Sequence, residues 1–285
     1  MATKLKKNAT ANPADPAGSA LQNVLRQPRI CFERIIPDEL DPERPVRRAM
    51  RGQMIEAAGG EKSLNASRVV GITRMALVAS KKWSVSGKAA TLRCRFLDGS
   101  PKMQKKVRSL AKEWEKNANV KLKFVTTGAA EIRISFYADE GSWSAVGRDA
   151  LNAAYFPAHQ PTMNFGWVRD DSDPVEDRAV VLHEFGHALG CIHEHQAPTF
   201  TRKWNEAAVM KYFSGKPNYW DKESIRQNVL QKYSATGIEA TEFDPKSIML
   251  YSFDAALFAD GLGPTNENST LSTLDTTMIK KMYPK

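Results

Sequence analysis

The alternation of apolar and polar positions in the middle of the chain predicts a strand followed by a helix. Polar and apolar residues alternate over Thr91–Leu97, as expected of a half-buried strand, and Asp98-Gly99 marks its end. Met103, Val107, Leu110 and Trp114 then recur at spacings of 4, 3 and 4, which places them on one helix face that packs into the core.

The same pattern predicts two more strands and a second helix. Glu131–Phe136 and Pro161–Trp167 have the composition of strands, and Gly141–Gly147 between them is interpreted as a glycine-bounded loop. A helix is predicted over about residues 175–189.

Weaker helix patterns lie on both sides of this region. Trp204–Phe213 and Lys222–Tyr233 are predicted helices, and Ser272 with Asp275 forms a capping box that opens a final helix. Near the N-terminus, residues 46–58 are predicted to form a short helix ending at Gly59-Gly60, and residues 1–20 have a composition typical of disorder.

Composition places the chain among ordinary globular proteins, with 42% hydrophobic and 26% charged residues. The net charge of +9 is uneven: residues 1–90 hold 16 Lys and Arg against 8 Asp and Glu, whereas residues 91–285 hold 25 against 24. The three cysteines, Cys31, Cys94 and Cys191, argue against a disulfide framework. We expect no secretory signal and no membrane span, and therefore a protein retained in the cell or exported by another route.

The strongest chemical signal is the run from His183 to His193, HEFGHALGCIH. On a helix, His183 and His187 project from one face and can share a metal, and Glu184 can reach a water on that metal without ligating it. Gly190 allows the helix to end, so that the chain turns back with His193 as third ligand. Three neutral histidines leave a tetrahedral zinc ion one open position, which is typical of a catalytic site.

These residues resemble the metzincin zinc endopeptidases, and their neighbours resemble the astacin branch. The third histidine continues as His193-Glu194-His195, and Ser247–Tyr251 is similar to the Met-turn. The tail from Leu271–Asp275 to Met282-Tyr283-Pro284 is similar to the last metzincin helix. The resemblance covers about residues 83–285. After His195, however, Gln196-Ala197-Pro198-Thr199 replaces the arginine and acidic stretch usual in astacins.

The resemblance implies an α+β zincin-like fold, with a mixed sheet, an active-site helix above a cleft and a mainly helical or irregular lower subdomain. It divides the chain into an N-terminal extension, 1–82, and a catalytic domain, 83–285, with upper (83–190) and lower (191–285) subdomains. The extension is a possible pro-segment. Some metzincins hold a latency-conferring cysteine there, but the residues around Cys31 are only vaguely like that motif, so a zinc-blocking role is the less favoured alternative.

The implied site contains one Zn²⁺ bound by His183, His187 and His193, with Glu184 as general base. Met249 would form an apolar floor beneath the ion. Tyr251 would be a fifth ligand and oxyanion stabiliser, the alternative being a buried tyrosine bonded to a backbone carbonyl.

Four further expectations concern the surroundings of the site. Glu194 is expected to have an arginine of the basic N-terminal part as its partner. His159 and His195 are expected to be structural or surface residues. Cys191 is expected to be a small buried apolar residue rather than a ligand.

In metzincins the last strand lies at the sheet edge and pairs with substrate. The residues predicted for that role are Thr162, Met163, Asn164 and Phe165.

The predicted function is therefore zinc-dependent hydrolysis of internal peptide bonds in proteins, through a zinc-activated water, by an enzyme expected to be monomeric. Two alternatives are an inert zinc-bound binding module and binding of nucleic acid or anionic lipid by the basic N-terminal segment. The first is disfavoured because Glu184 and all three histidines are present. The second is disfavoured because no nucleic-acid motif is found.

Overall fold

The computed structural model describes residues 31, 34, 81–84, 89–197, 199–215, 219–232 and 242–285. Residues 90–165 contain a five-stranded sheet with strand order β2-β1-β3-β5-β4. The first four strands in this order are parallel, and β4 pairs with β5 in the antiparallel direction. The strands are β1 (Ala90–Phe96), β2 (Val120–Phe124), β3 (Ile132–Ser135), β4 (Ser142–Ser144) and β5 (Met163–Phe165).

Helices cover this sheet and form most of the regular structure after it. In chain order they are α1 (Pro101–Ala111), α2 (Glu113–Asn117), α3 (Pro174–Ala188), α4 (Glu206–Ser214), α5 (Lys222–Ile225) and α6 (Thr273–Met282). A π-helical turn, Arg226–Leu230, continues α5. The capping box predicted at Ser272 and Asp275 is confirmed at the start of α6.

The upper core lies between the sheet and α1, α2 and α3. In β1, Leu92 and Cys94 are buried while Thr91 and Arg93 are exposed, as the alternation predicted. Trp114 is 1% exposed and donates a hydrogen bond from its ring to the carbonyl oxygen of Leu182 in α3 at 3.0 Å. The face that begins at Met103 therefore packs against the helix predicted to bind metal.

A second core lies in the lower part of the molecule and is rich in aromatic rings. It comprises Cys31, Phe200, Val209, Phe213, Ile225, Val229, Tyr251, Phe253, Leu257 and Phe258. The α+β fold, with its mixed sheet and mainly helical or irregular lower part, is confirmed.

Two sequence predictions about the sheet are wrong. Part of Gly141–Gly147, predicted to be a loop, forms β4 at the end of the sheet. Thr162–Phe165, predicted to be the open edge, lies next to and within β5, which β3 and β4 flank on both sides. Because β5 bonds to two neighbours, its backbone is not free to pair with a peptide, and the edge position belongs to Ser142–Ser144.

Other predictions differ in extent or fall outside the described residues. Strand β2 was not predicted from the sequence, although its residues VKLKF alternate between buried and exposed positions. The predicted helix 46–58 and the predicted disorder of residues 1–20 lie outside the described residues, as does Tyr233. Among the helices of the described part, none has the length and apolar character needed to cross a membrane.

Candidate metal centre

Helix α3 presents the metal-binding motif because both of its ends are specified locally. Asp173 caps its N-terminus, accepting hydrogen bonds from the N–H groups of Val175 and Glu176, and Pro174 occupies the first turn. At the other end Gly190 has φ +95°, and its N–H bonds to the carbonyl oxygen of His187 at 2.8 Å. This left-handed residue ends the helix and turns the chain back toward it, as predicted.

The turn brings three imidazole nitrogens together. His187 Nε2 lies 3.1 Å from His183 Nε2 and 3.0 Å from His193 Nε2. His183 Nδ1 lies 2.8 Å from the carbonyl oxygen of Ile248, and His187 Nδ1 lies 2.9 Å from that of Cys191. A carbonyl oxygen only accepts, so Nδ1 carries the proton in both rings and Nε2 presents a lone pair.

This arrangement fits a zinc ion. Zinc binds imidazole at 2.0–2.1 Å, so two nitrogens of a tetrahedral site are about 3.4 Å apart, close to the spacings found here. Lone pairs that face one another inside the protein need a cation between them. Burial lowers the pKa of His183 to about 4 and holds that of His187 and His193 well below 6.5, which keeps the rings neutral as ligands.

The segment after Pro245 supports the histidines from below. Ile248, whose carbonyl oxygen faces His183, donates its N–H to Asp275 Oδ2 at 2.8 Å. The Ser247 hydroxyl donates to the other oxygen of Asp275 at 2.8 Å. Met249 is 3% exposed, and its sulfur lies so close to Gly186 that a Cβ on that glycine would be 2.4 Å away. The predicted methionine is thus beneath α3, packed against its glycine.

Tyr251 lies beside the third histidine. Its hydroxyl contacts His193 Nε2 and donates a 2.7 Å hydrogen bond to the carbonyl oxygen of Cys31. The bond to a backbone carbonyl agrees with the buried-tyrosine alternative, and the role of Tyr251 as a fifth ligand stays a prediction.

Cys31 is the residue whose importance the sequence underestimated. Its sulfur lies 3.8 Å from His193 Nε2, and it forms with the three histidines a buried group whose ligand atoms all lie within 4.8 Å of one another. Thiolate and imidazole are both common zinc ligands. The only sequence signal was the position of this cysteine upstream of the catalytic region. By contrast, Cys191 packs against the upper core and contributes its carbonyl oxygen to His187.

A second residue of the N-terminal extension lies at the edge strand. Arg34 forms an isolated parallel bridge with Ala145, directly after β4. Its guanidinium lies 3.7 Å from the ring centroid of Trp143 and 3.6 Å from Glu140 Oε2. Cys31 and Arg34 therefore cover both the metal centre and the edge of the sheet.

The two glutamates near the site differ in their surroundings. Glu184 is 1% exposed on α3, beside the first histidine. Glu194 accepts a 2.8 Å hydrogen bond from the N–H of Asp244. Apart from Arg34, the arginines of the basic N-terminal part lie outside the described residues, so the expected arginine partner stays a prediction. Burial raises the pKa of Glu194 to about 7, the Asp244 N–H opposes this rise, and the Asp275 and Asp244 charges add to it.

The remaining histidines are not part of the cluster. His195 is fully buried, with Nε2 3.0 Å from the carbonyl oxygen of Asn228 and its ring against Phe253. Burial lowers the pKa of His195 to about 3. His159 is exposed. Neither belongs to the group of potential ligands.

The chain is similar to a known family and to several solved structures. The matrixin family model matches residues 82–204. One structure of myroilysin is 38% identical, with a TM-score of 0.67, and the alignment covers 73% of this chain and 98% of that one. A crystal structure of myroilysin is also 38% identical, with a TM-score of 0.56 and coverage of 72% and 87%. A hatching-enzyme zinc protease from Oryzias latipes, HCE-1, is 17% identical, with a TM-score of 0.49 and coverage of 72% and 95%. No curated protein sequence matches the chain.

Proposed function

We propose, from the premise that this chain belongs to the metzincin metallopeptidases and is a zinc-dependent endopeptidase, that the three histidines of its α3 segment hold the ion and that Glu184 moves the proton. The observation that carries this proposal is the convergence of His183, His187 and His193, with Nε2 atoms 3.0–3.1 Å apart around His187. The proposed substrates are proteins and peptides.

The proton-transfer role of Glu184 follows from its place on the helix. A zinc ion bound there would supply a Lewis acid for the scissile carbonyl and lower the pKa of water toward neutrality. The carboxylate of Glu184 accepts the proton of the attacking water and later transfers it to the departing amine. At 1% exposure the carboxylate is shielded from bulk water.

Tyr251 supports placing the chain in the astacin-like branch. Its hydroxyl already lies at His193 Nε2, so after rotation it can donate a hydrogen bond to the developing oxyanion. The His193-Glu194-His195 run and the tyrosine two residues after Met249 support the same assignment. In a Cys31→Ser background, which removes the proposed block, a Tyr251→Phe variant is expected to keep its zinc and to lose about 10²-fold in kcat with a smaller change in KM. Equal kcat values would contradict the role.

We also propose that the N-terminal extension keeps the enzyme latent. Cys31 lies at the histidines, while its carbonyl oxygen holds the Tyr251 hydroxyl. Arg34 covers Trp143 in the strand that a peptide would extend. Since one segment blocks the metal, the oxyanion donor and the edge strand together, substrate can bind only after that segment leaves.

The test compares three proteins in a Cys31→Ser background, so that latency does not hide the result. The parent is expected to cut casein and to stop when a chelator is added. Glu184→Gln is expected to bind stoichiometric zinc and to lose at least about 10³-fold in kcat/KM. Glu176→Gln changes an exposed glutamate of the same helix and is expected to match the parent. Loss of zinc from Glu184→Gln, or undiminished cleavage by it, would contradict the assignment.

A further inference from the structure

Two arginines lie side by side on the sheet, away from the metal centre. Arg95 of β1 and Arg133 of β3 are register partners in the parallel pairing of these strands. Register partners on neighbouring strands share one sheet face, so the two positive charges are adjacent. Like charges at such positions are destabilising unless something compensates them.

No carboxylate compensates them within the described part of the chain. Arg133, 6% exposed, donates to the carbonyl oxygens of Gln160 and Phe156 at 2.7 and 2.8 Å, and to those of Ala130 and Pro157 at 3.3 Å. Arg95 donates only to the carbonyl oxygen of Gly128, at 2.7 Å. Burial and the charge of Arg95 together lower the pKa of Arg133.

Arg93 provides the contrast on the same strand. Two residues before Arg95, it bonds to both oxygens of Glu131 and forms an ion pair with it. An arginine on this face of β1 therefore does find a carboxylate where the chain supplies one. For Arg95 most of the guanidinium N–H groups have no acceptor among the described residues.

Arg95 and Arg133 both line a cavity of about 390 Å³. Its other walls are mainly apolar, with Phe156, Leu151 and several alanines, and Leu151 is 51% exposed. Pockets of this size, apolar with a few convergent polar groups, are typical of small-molecule sites. Here the polar groups are cationic, so the complementary ligand is an anion with an apolar part.

We propose that this cavity binds a small carboxylate bearing a short aliphatic group, with the carboxylate on Arg95 and the aliphatic group against Leu151 and Phe156. Guanidinium and carboxylate match as planar, two-point partners. Inorganic phosphate would satisfy the charge but would leave the apolar wall uncovered. A peptide C-terminal residue and a free short-chain acid both have the required chemistry. Arg133 holds the segment from Phe156 to Gln160 through their carbonyl oxygens and adds positive potential.

The experiment measures binding to the full chain by titration calorimetry. The probes are N-acetyl-leucine, which mimics a peptide C-terminus, isovalerate as the free acid, N-acetyl-leucinamide as the uncharged match, and inorganic phosphate. At least one of the two carboxylates is expected to bind and the amide is not; whichever carboxylate is tighter identifies the source. Arg95→Met is expected to weaken binding by about tenfold or more, the loss for one charge-assisted contact.

Two further variants test the specificity of the charged contact and the role of the apolar wall. Arg93→Met removes a neighbouring arginine of the same strand that already has Glu131, and it is expected to leave affinity unchanged. Leu151→Ala trims a half-exposed side chain and is expected to weaken whichever of the two carboxylates binds more tightly, because the aliphatic group loses its contact. The proposal is overturned if neither carboxylate binds, if acid and amide bind equally, if phosphate alone binds, or if a folded Arg95→Met retains full affinity.

Discussion

Asp275 accepts a hydrogen bond at 2.8 Å from the backbone N–H of Ile248. The carbonyl oxygen of the same Ile248 lies 2.8 Å from His183 Nδ1, so one residue connects the last helix to the first proposed ligand. Asp275 also caps α6 by accepting the N–H of Ser272. One buried carboxylate thus caps a helix, fixes the backbone just before Met249 and helps to orient His183.

Asp275→Ala is therefore expected to affect zinc binding without touching the ion. Loss of the carboxylate leaves the Ile248 N–H and the Ser247 hydroxyl buried without their acceptor, a cost of about 2–4 kcal/mol in the free energy of unfolding. We expect zinc affinity to fall about 10–100-fold, as for other residues that orient a metal-bound histidine. Competition with a chelator measures the affinity, and urea unfolding measures the stability.

The matched control is Asp254→Ala, because Asp254 also caps a short helix, through the N–H of Ala256, but is exposed. It should lose stability with no change in zinc affinity. If both variants bound zinc with the same affinity, Asp275 would have no part in orienting the metal-binding histidine.

Gly186→Ala tests the packing of Met249 beneath α3. In a helix interior alanine is favoured over glycine by about 1 kcal/mol, but here its Cβ would lie 2.4 Å from the Met249 sulfur and 3.3 Å from the Trp114 ring. Overpacking costs about 1–3 kcal/mol, so we expect net destabilisation. Gly215→Ala, whose Cβ would approach no atom closer than 3.4 Å, serves as the control.

A double-mutant cycle isolates this contact. Met249→Ala alone should destabilise, since it leaves a cavity. In the double variant the new methyl group occupies part of that cavity, and the total loss should be smaller than the sum of the single losses by about 1 kcal/mol. Additive losses in urea unfolding would show that the two residues do not compete for the same space.

Cys31→Ser is expected to cleave casein without prior proteolysis, whereas the unmodified full chain is expected to be inactive until processed. Arg34→Ala should show partial activity, because the thiol remains while the contact with Trp143 is lost. Initial rates of freshly purified protein, with the N-terminus sequenced after the assay, measure both effects. Cys94→Ser is the control, since Cys94 is buried in the upper core away from the site. A fully active unprocessed wild type would end the latency proposal.

The Arg93–Glu131 pair predicts a pH dependence of stability. Burial raises the pKa of Glu131, but its hydrogen bonds with Arg93 outweigh this and leave the pKa below 4.5. A carboxyl whose pKa is lower in the folded state contributes stability above its unfolded pKa, and loses it as pH falls through the folded value. The difference in unfolding free energy between wild type and Glu131→Gln should therefore be constant from pH 8 to 6 and shrink below about pH 4.5. A difference that grows on acidification would contradict this.

The ion pair between Lys81 and Asp149 indicates where the catalytic unit begins. Lys81 is 4% exposed and its ammonium lies 2.6 Å from Asp149 Oδ2, while the Trp83 ring donates to the carbonyl oxygen of Ala188 at the end of α3. Lys81→Met leaves a largely buried carboxylate uncompensated and should cost about 3–5 kcal/mol, mostly recovered by adding Asp149→Leu. A chain starting at residue 80 should fold and one starting at residue 85 should not, as judged by cooperative thermal unfolding.

Local features of this protein were predictable because their physical causes are local. The i and i+4 spacing of His183 and His187 places two rings on one helix face whatever surrounds the helix, and Gly190 accepts φ +95° because it has no side chain. The capping box of Ser272 and Asp275 likewise needs only four consecutive residues. Helix α3, its metal motif and the final helix therefore followed from the sequence alone.

Pairing across the chain is decided by the whole structure. Thr162–Phe165 looks more like a strand than Gly141–Gly147, yet β4 lies at the edge and β5 lies inside, since strand order depends on connections and packing that no local pattern encodes. Cys31 meets His193 across 162 residues, and Arg95 meets Arg133 through register. The sequence by itself thus determined the helix chemistry of the metal centre; only the tertiary structure decided what covers that centre and which charges lie side by side, because such contacts join residues distant along the chain.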